Sequence, residues 1–207
     1  MADNNIILIG FMGAGKTEAG RILAKNSGFN FLDIDALIEK LEGITITDIF
    51  KKKGEQYFRD LETKILKEMK KNKSDISKAI EKYTKGSELA IKESEFNSDS
   101  FIALNGKGKP WVISTGGGAP AFNGNLKLIK NIGTVIYLKA DAKTIYERIK
   151  SEIHRPVFGA GGFTLKSVRD KLKEREKFYG QADMIIYTDG LSINGVAEEI
   201  EIFLSQN

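Results

Sequence analysis

Gly10-Phe-Met-Gly13-Ala14-Gly15-Lys16-Thr17 sets three glycines beside a lysine and a hydroxyl residue. The spacing is that of a phosphate-binding loop. It falls where an apolar run, Asn5 to Ile9, gives way to a helical pattern over residues 16 to 27. Small residues let the backbone wrap a phosphate chain, so that successive N–H groups and a helix N-terminus face anionic oxygens. Lys16 then reaches the β- and γ-phosphates, and the Thr17 hydroxyl ligates Mg²⁺. A chance glycine-rich turn is the competing reading, and pattern and context together speak against it.

Asp33 and Asp35 follow a second apolar run, Phe29 to Leu32. The carboxyl ends of parallel strands face the ligand crevice, and side chains two apart on a strand share a face. One carboxylate near Mg²⁺ and one near an acceptor hydroxyl is the expected division; the alternative is Asp35 as a helix cap. Arg59 lies on a helical stretch, Gly54-Glu-Gln-Tyr-Phe-Arg-Asp-Leu-Glu62, and by itself reads as a solvated salt-bridge partner. Gly116, Gly117 and Gly118 follow a buried strand. They either let a ligand approach the backbone closely or make a tight turn. Residues 151–163 are a glycine-rich segment read as a lid over the phosphate site, with Arg155 meeting the transferring phosphoryl group. His154, the only histidine, reads as an incidental loop residue.

The elements that must position these groups alternate along the chain. Apolar runs at 5–9, 29–32, 111–113, 133–138 and 184–187 read as buried strands, and helical patterns lie at 16–27, 36–41, 55–71 and 164–179. Asp141 and Ser192 are placed to cap two more helices. Such alternation predicts a parallel sheet wrapped by helices on both faces. Residues 72–109 break the rhythm with Lys, Ser, Asn and Glu, and read as a surface insertion of mixed helix and loop. A disordered excursion and a partner-binding element are the other readings.

The chain has 207 residues, 41% hydrophobic and 29% charged, which suits one domain with an insertion. It has no cysteine, so no disulfide scaffold, thiolate zinc site or cysteine nucleophile can be built. A single histidine rules out a multi-histidine metal site. The net charge of +4 sits mostly between residues 70 and 110, and no Lys/Arg stripe with interleaved aromatics accompanies it. Nucleic acid is therefore not an expected partner. No apolar run approaches the roughly 20 residues that cross a bilayer, and Met-Ala-Asp-Asn-Asn runs straight into the first strand. A cytoplasmic protein with no membrane partner is expected.

In this order the motifs resemble shikimate kinase, a nucleoside-monophosphate-kinase-like P-loop family. The set is Gly10 to Thr17, Asp33-Ile-Asp35, Gly54 to Glu62, Gly116-Gly-Gly118, Arg155-Pro and Arg175-Glu-Lys-Phe-Tyr179. The resemblance covers all but residues 72–109. It implies a three-layer α/β sandwich with a five-stranded parallel sheet, a substrate-binding region at about 33–62 and a lid at about 151–163, in one domain over 1–207. It implies transfer of phosphate from ATP to the shikimate 3-hydroxyl, in chorismate and aromatic amino acid biosynthesis, by a monomer.

Carried over by position, Gly13, Ala14, Gly15, Lys16, Thr17 and Glu18 would hold the ATP phosphates. Thr17 and Asp33 would hold Mg²⁺, the latter through water. Asp35 would bind the reacting hydroxyl and help take its proton; Arg59 and Arg175 would grip the carboxylate. Gly117 would donate its N–H to shikimate, with Gly116 and Gly118 beside it. Arg155 would come down onto ATP, Arg148 would stack on the adenine, and Leu191 would lie across the base. Glu18 stands where the family more often has a hydroxyl residue, and Leu191 where a polar residue is often found. A gluconate-kinase-like enzyme and a non-catalytic nucleotide-binding regulator are the alternative readings.

Overall fold

Strand β1 (Asn5–Ile9) sends Ile7 and Ile9 into one apolar core and Ile6 and Leu8 into another. That is the period-two alternation of a strand buried on both faces. The computed structural model describes residues 4–84, 102–103, 106–150 and 162–206. Its other strands are β2 (Asn30–Asp33), β3 (Ile102–Ala103), β4 (Trp111–Ser114), β5 (Gly133–Lys139) and β6 (Met184–Tyr187). They form one sheet in the order β3-β2-β4-β1-β5-β6. Five of them run parallel, with Ile7 opposite Ile113 on one side and Val135 on the other. The sixth, β3, pairs antiparallel with β2, setting Ala103 opposite Phe31. It was not anticipated, because two residues within a polar stretch carry no periodicity.

Helices α1 (Lys16–Ser27) and α9 (Ile193–Gln206) close one face, packing Ala19, Leu23, Val196 and Ile200 onto Ile6 and Leu8. The opposite face carries α2 (Ile34–Glu42), α3 (Ile46–Lys53), α4 (Glu55–Lys71), α5 (Ile76–Thr84), α6 (Asn125–Ile132), α7 (Ala142–Ile149) and α8 (Leu165–Tyr179). Leu37, Ile49, Phe58, Ile65, Ile129, Ile145 and Val168 from these helices share one core with Ile7 and Ile9. The result is the expected three-layer α/β sandwich.

The capping residues behave as their types dictate. Asp141 accepts from the Thr144 N–H at 2.6 Å, Ser192 Oγ from the Gly195 N–H at 3.1 Å, and Thr164 forms a capping box with Ser167. Helix α2 starts two residues earlier than expected, with Asp33 as its cap. Helices α3 and α6, eight residues each, escaped the sequence reading because so short a segment shows barely two turns of pattern. Gly54, at φ 84°, ends α3 and starts α4, a conformation that only glycine adopts at little cost.

The stretch 72–109 is less peripheral than its composition implied. Ile76, Ala79 and Ile80 of α5 are buried in the core that holds Met69 of α4. Both ends of the stretch are tied to buried asparagines. Asn5 Nδ2 donates to the Lys73 carbonyl at 2.8 Å, and Asn30 Nδ2 to those of Gly106 and Lys109 at 3.1 and 3.3 Å. Among the described residues, no helix is long and apolar enough to cross a membrane.

Candidate active site

The carboxyl ends of β1, β2 and β4 open onto one cavity of about 520 Å³, where a parallel sheet is expected to hold its ligand. Gly10, Gly13 and Gly15 carry φ values of 141°, 76° and 86°. This left-handed backbone turns the loop around the space ahead of α1. Lys16 is buried, and its Nζ donates to the Phe11 carbonyl at 3.0 Å. Glu18 is exposed in the first turn of α1 and lines the same cavity.

Asp33 ends β2 and makes two contacts. Oδ1 accepts from the Ala36 N–H at 3.0 Å, capping α2, and Oδ2 accepts from Thr17 Oγ1 at 2.5 Å. The expectation of two carboxylates on one strand face therefore needs correction. Asp35 sits in the first turn of α2, and the strand-to-helix turn brings it to the cavity. It is also not the cap. Asp35 Oδ1 is buried without a hydrogen-bond partner. Burial, with the charges of Glu62 and Asp33 added, pushes its pKa up to about 8, although Lys16 and Arg59 pull the other way.

Arg59 overturns the solvated reading: it is 3% exposed. Its Nε and Nη2 donate to Glu55 Oε1 at 3.1 and 3.0 Å, and Nη1 to Glu62 Oε2 at 2.6 Å. The guanidinium lies 4.6 Å from the centre of the Phe122 ring and 5.1 Å from that of Phe58. Burial lowers its affinity for the proton, but the pairing with Glu62 and Glu55 outweighs that and the pKa is raised. Glu62 is fully buried, and burial outweighs Arg59 in raising its own pKa; its Oε1 has no hydrogen-bond partner. The sequence reading gave Glu62 no role.

The glycine triplet lines the cavity, and the protein's own groups crowd the space beside it as well. A Cβ on Gly116 would run into Glu62 Oε1 and Asp35 Oδ1, and one on Gly118 into the Arg59 guanidinium. At Gly117 the nearest obstacle is the Met12 amide nitrogen, 2.9 Å away. The glycines thus let the acid pair, the arginine and the phosphate loop crowd together. Opposite them, Arg175 of α8 is 2% exposed and lines the cavity. Its Nη1 donates to the Gly117 carbonyl at 3.0 Å, and its guanidinium lies 5.1 Å from the Phe11 ring. Among the described residues no carboxylate forms an ion pair with it.

The remaining expected residues lie at the rim or beyond it. Arg148 is exposed and donates through Nη1 to the Gly13 carbonyl at 3.0 Å; Leu191 is partly exposed, ahead of α9. Arg155, His154 and most of the expected lid lie outside the described residues. Thr17, Asp33 and the orphaned Asp35 oxygen supply only oxygen donors. Such a set suits Mg²⁺, which keeps waters and phosphate oxygens as its other ligands.

A glycine-rich loop between a central parallel strand and a helix, with a buried lysine, a hydroxyl–carboxylate pair and a second carboxylate facing it, defines a P-loop phosphotransferase. The family model for shikimate kinase matches residues 12–80 and 90–205. The shikimate kinase of Persephonella marina is 37% identical over 196 residues, covering 95% of this chain and 96% of that one. The structure of the Acinetobacter baumannii shikimate kinase in complex with shikimate superposes with a TM-score of 0.75 at 31% identity, over 99% of this chain and 94% of that one. That of the Bacteroides thetaiotaomicron enzyme does so with a TM-score of 0.72 at 25% identity, over 98% of each. The chain belongs to the shikimate kinase family, and its activity is the ATP-dependent phosphorylation of shikimate.

Proposed function

We propose that the cavity divides this reaction between two halves, with Lys16 and Thr17 on the nucleotide side and Asp35, Arg59 and Arg175 on the acceptor side. The observation that carries the reading is Arg175, a buried guanidinium that lines the cavity and, among the described residues, has no ion-pair partner, Glu62 acting on it only at longer range. A buried charge is costly unless paired, so the site asks for an anion. A carboxylate meets a guanidinium fork in two parallel hydrogen bonds. Arg59, with three of its five N–H donors engaged by Glu55 and Glu62, keeps two for the same carboxylate.

That placement sets the ring so that its 3-hydroxyl donates to Asp35, whose carboxylate takes the proton as the oxygen attacks the γ-phosphorus. Lys16 and the loop N–H groups hold the phosphates in line, and most of the acceleration in phosphoryl transfer comes from such positioning and charge neutralisation. Thr17 and Asp33 would hold Mg²⁺, which when bound neutralises charge on the β- and γ-oxygens. Arg148 and Leu191 flank the adenine. A monomer is the state the family resemblance implies, and the need for ATP favours the cytoplasm.

The test is ADP release from ATP and Mg²⁺ with shikimate, with gluconate and with no acceptor. Release only with shikimate is expected. Turnover of gluconate at a comparable kcat/KM would move the assignment of Arg59 and Arg175 to an acyclic sugar acid.

Glu18 gives a second, smaller expectation. Its carboxylate favours the positive end of α1 in the free protein, but it faces the place where phosphates bind. Glu18→Ser is expected to lower KM for ATP about two- to fivefold at low ionic strength, and less at 0.5 M salt, where exposed charges are screened. A raised KM for ATP would show that Glu18 helps to hold the nucleotide instead.

A further inference from the structure

Arg175 has two demands on it. In the free protein its Nη1 is spent on the Gly117 carbonyl, 3.0 Å away. If it also grips the substrate carboxylate, as proposed above, four of its five N–H donors remain for that task, and the Gly117 contact is what aims the fork. The same carbonyl accepts a second hydrogen bond, from the Tyr179 hydroxyl. Tyr179 lies one helical turn beyond Arg175 on α8, so both side chains project from one face. Its ring is fully buried against Tyr137, with centroids 4.9 Å apart. Tyr137 is in turn fixed by its own hydroxyl, which donates to Glu176 Oε2 at 3.1 Å. Tyr179 therefore has no freedom to follow a ligand, whereas Arg175 borders the cavity.

We propose that the Tyr179 hydroxyl is a positioning group for the acceptor half: it fixes the Gly117 peptide on which the Arg175 guanidinium is aimed at the shikimate carboxylate. The proposal rests on the reading of Arg175 as a carboxylate ligand. The Gly117–Gly118 peptide is trans, so its carbonyl and its N–H point in opposite directions. Anchoring the carbonyl to α8 turns the Gly118 N–H away from α8 and holds the triplet against the Met12 amide. A carbonyl held by two donors, one of them on a ring locked in the core, fixes the peptide and the aim of Arg175 more firmly than the arginine contact alone.

Tyr179→Phe removes only the oxygen and keeps the ring in its core position. Its KM for shikimate is expected to rise about five- to tenfold. Its kcat should stay within about twofold and its KM for ATP should not change, the pattern of lost ground-state binding. Tyr137→Phe is the control, since it deletes a neighbouring tyrosine hydroxyl of the same helix contact without touching Gly117. All constants are measured well below the thermal midpoint of each variant. A KM for shikimate unchanged in Tyr179→Phe, or raised equally in Tyr137→Phe, overturns the proposal. Arg175→Lys separates the two layers. If it leaves KM for shikimate unchanged, the carboxylate reading itself fails. If it raises KM and Tyr179→Phe does not, only the positioning role fails. The double variant is expected to show less than the sum of the two effects, because both act through one carbonyl.

Discussion

Replacing Asp35 by asparagine is expected to lower kcat by about 10²- to 10⁴-fold, the usual worth of a positioned general base, and to raise the stability of the free protein. The two effects share a cause. Asp35 is held among Glu62, Asp33, Lys16 and Arg59, with one oxygen buried and unpartnered, and its pKa is raised from 3.8 to about 8. The folded state therefore binds a proton more tightly than the unfolded chain does. Stability linked to this group is full below pH 3.8 and is lost as pH rises towards 8. Asparagine is neutral throughout, so its thermal midpoint should match that of the parent near pH 4 and exceed it by a growing margin up to pH 8. For a chain of this size each kcal/mol corresponds to about 2–4 °C. Catalysis runs the opposite way, because only the ionised carboxylate accepts the proton. In the parent, kcat/KM for shikimate should climb with pH through the same region. A midpoint difference that does not vary between pH 4 and 8 would remove the raised pKa. A kcat in the asparagine variant within tenfold of the parent would remove Asp35 as the base.

Arg59→Lys is expected to raise KM for shikimate about 10- to 100-fold, in line with the 1.5–3 kcal/mol of a hydrogen bond to a charged group. Charge is conserved in this change; geometry is not. The guanidinium spans Glu55 and Glu62 at once while lying on Phe122 and Phe58, and an ammonium is a point charge that cannot reproduce the fork. Glu62, fully buried, would lose its well-aligned partner as well. The thermal midpoint should fall, unlike that of the Asp35 variant. Steady-state kinetics with shikimate as the varied substrate provides the check, and an unchanged KM would take Arg59 out of the acceptor site.

How much of this could be read beforehand depended on distance along the chain. The phosphate loop is local: its glycines, lysine and threonine fix their own geometry, and the structure sets the loop between β1 and α1 as the pattern implied. The five parallel strands followed from continuous apolar runs, but their order in the sheet did not. Asp35 was placed near the phosphates for a partly mistaken reason, since the strand ends at Asp33 and a helical turn supplies the proximity. Arg59 and Glu62 are three apart on a helix, and such a pair looks the same in a sequence whether it faces water or a core. Only the packing of Phe58 and Phe122 around the guanidinium distinguishes the two. The triplet at 116–118 announced a close approach, but not that Asp35, Glu62 and Arg59 would fill it. Nothing local marks Ile102–Ala103 as a strand, because its partner lies some 70 residues earlier.

Gly117 touches both halves of the cavity: its carbonyl is held by α8, and a side chain on it would run into the phosphate loop at the Met12 amide. With the two ligands placed as proposed, a single piece of backbone borders both, and settling it for one would settle it for the other. Thermodynamic linkage then admits no one-way effect. Whatever factor bound nucleotide applies to the dissociation constant of shikimate, bound shikimate must return to that of the nucleotide.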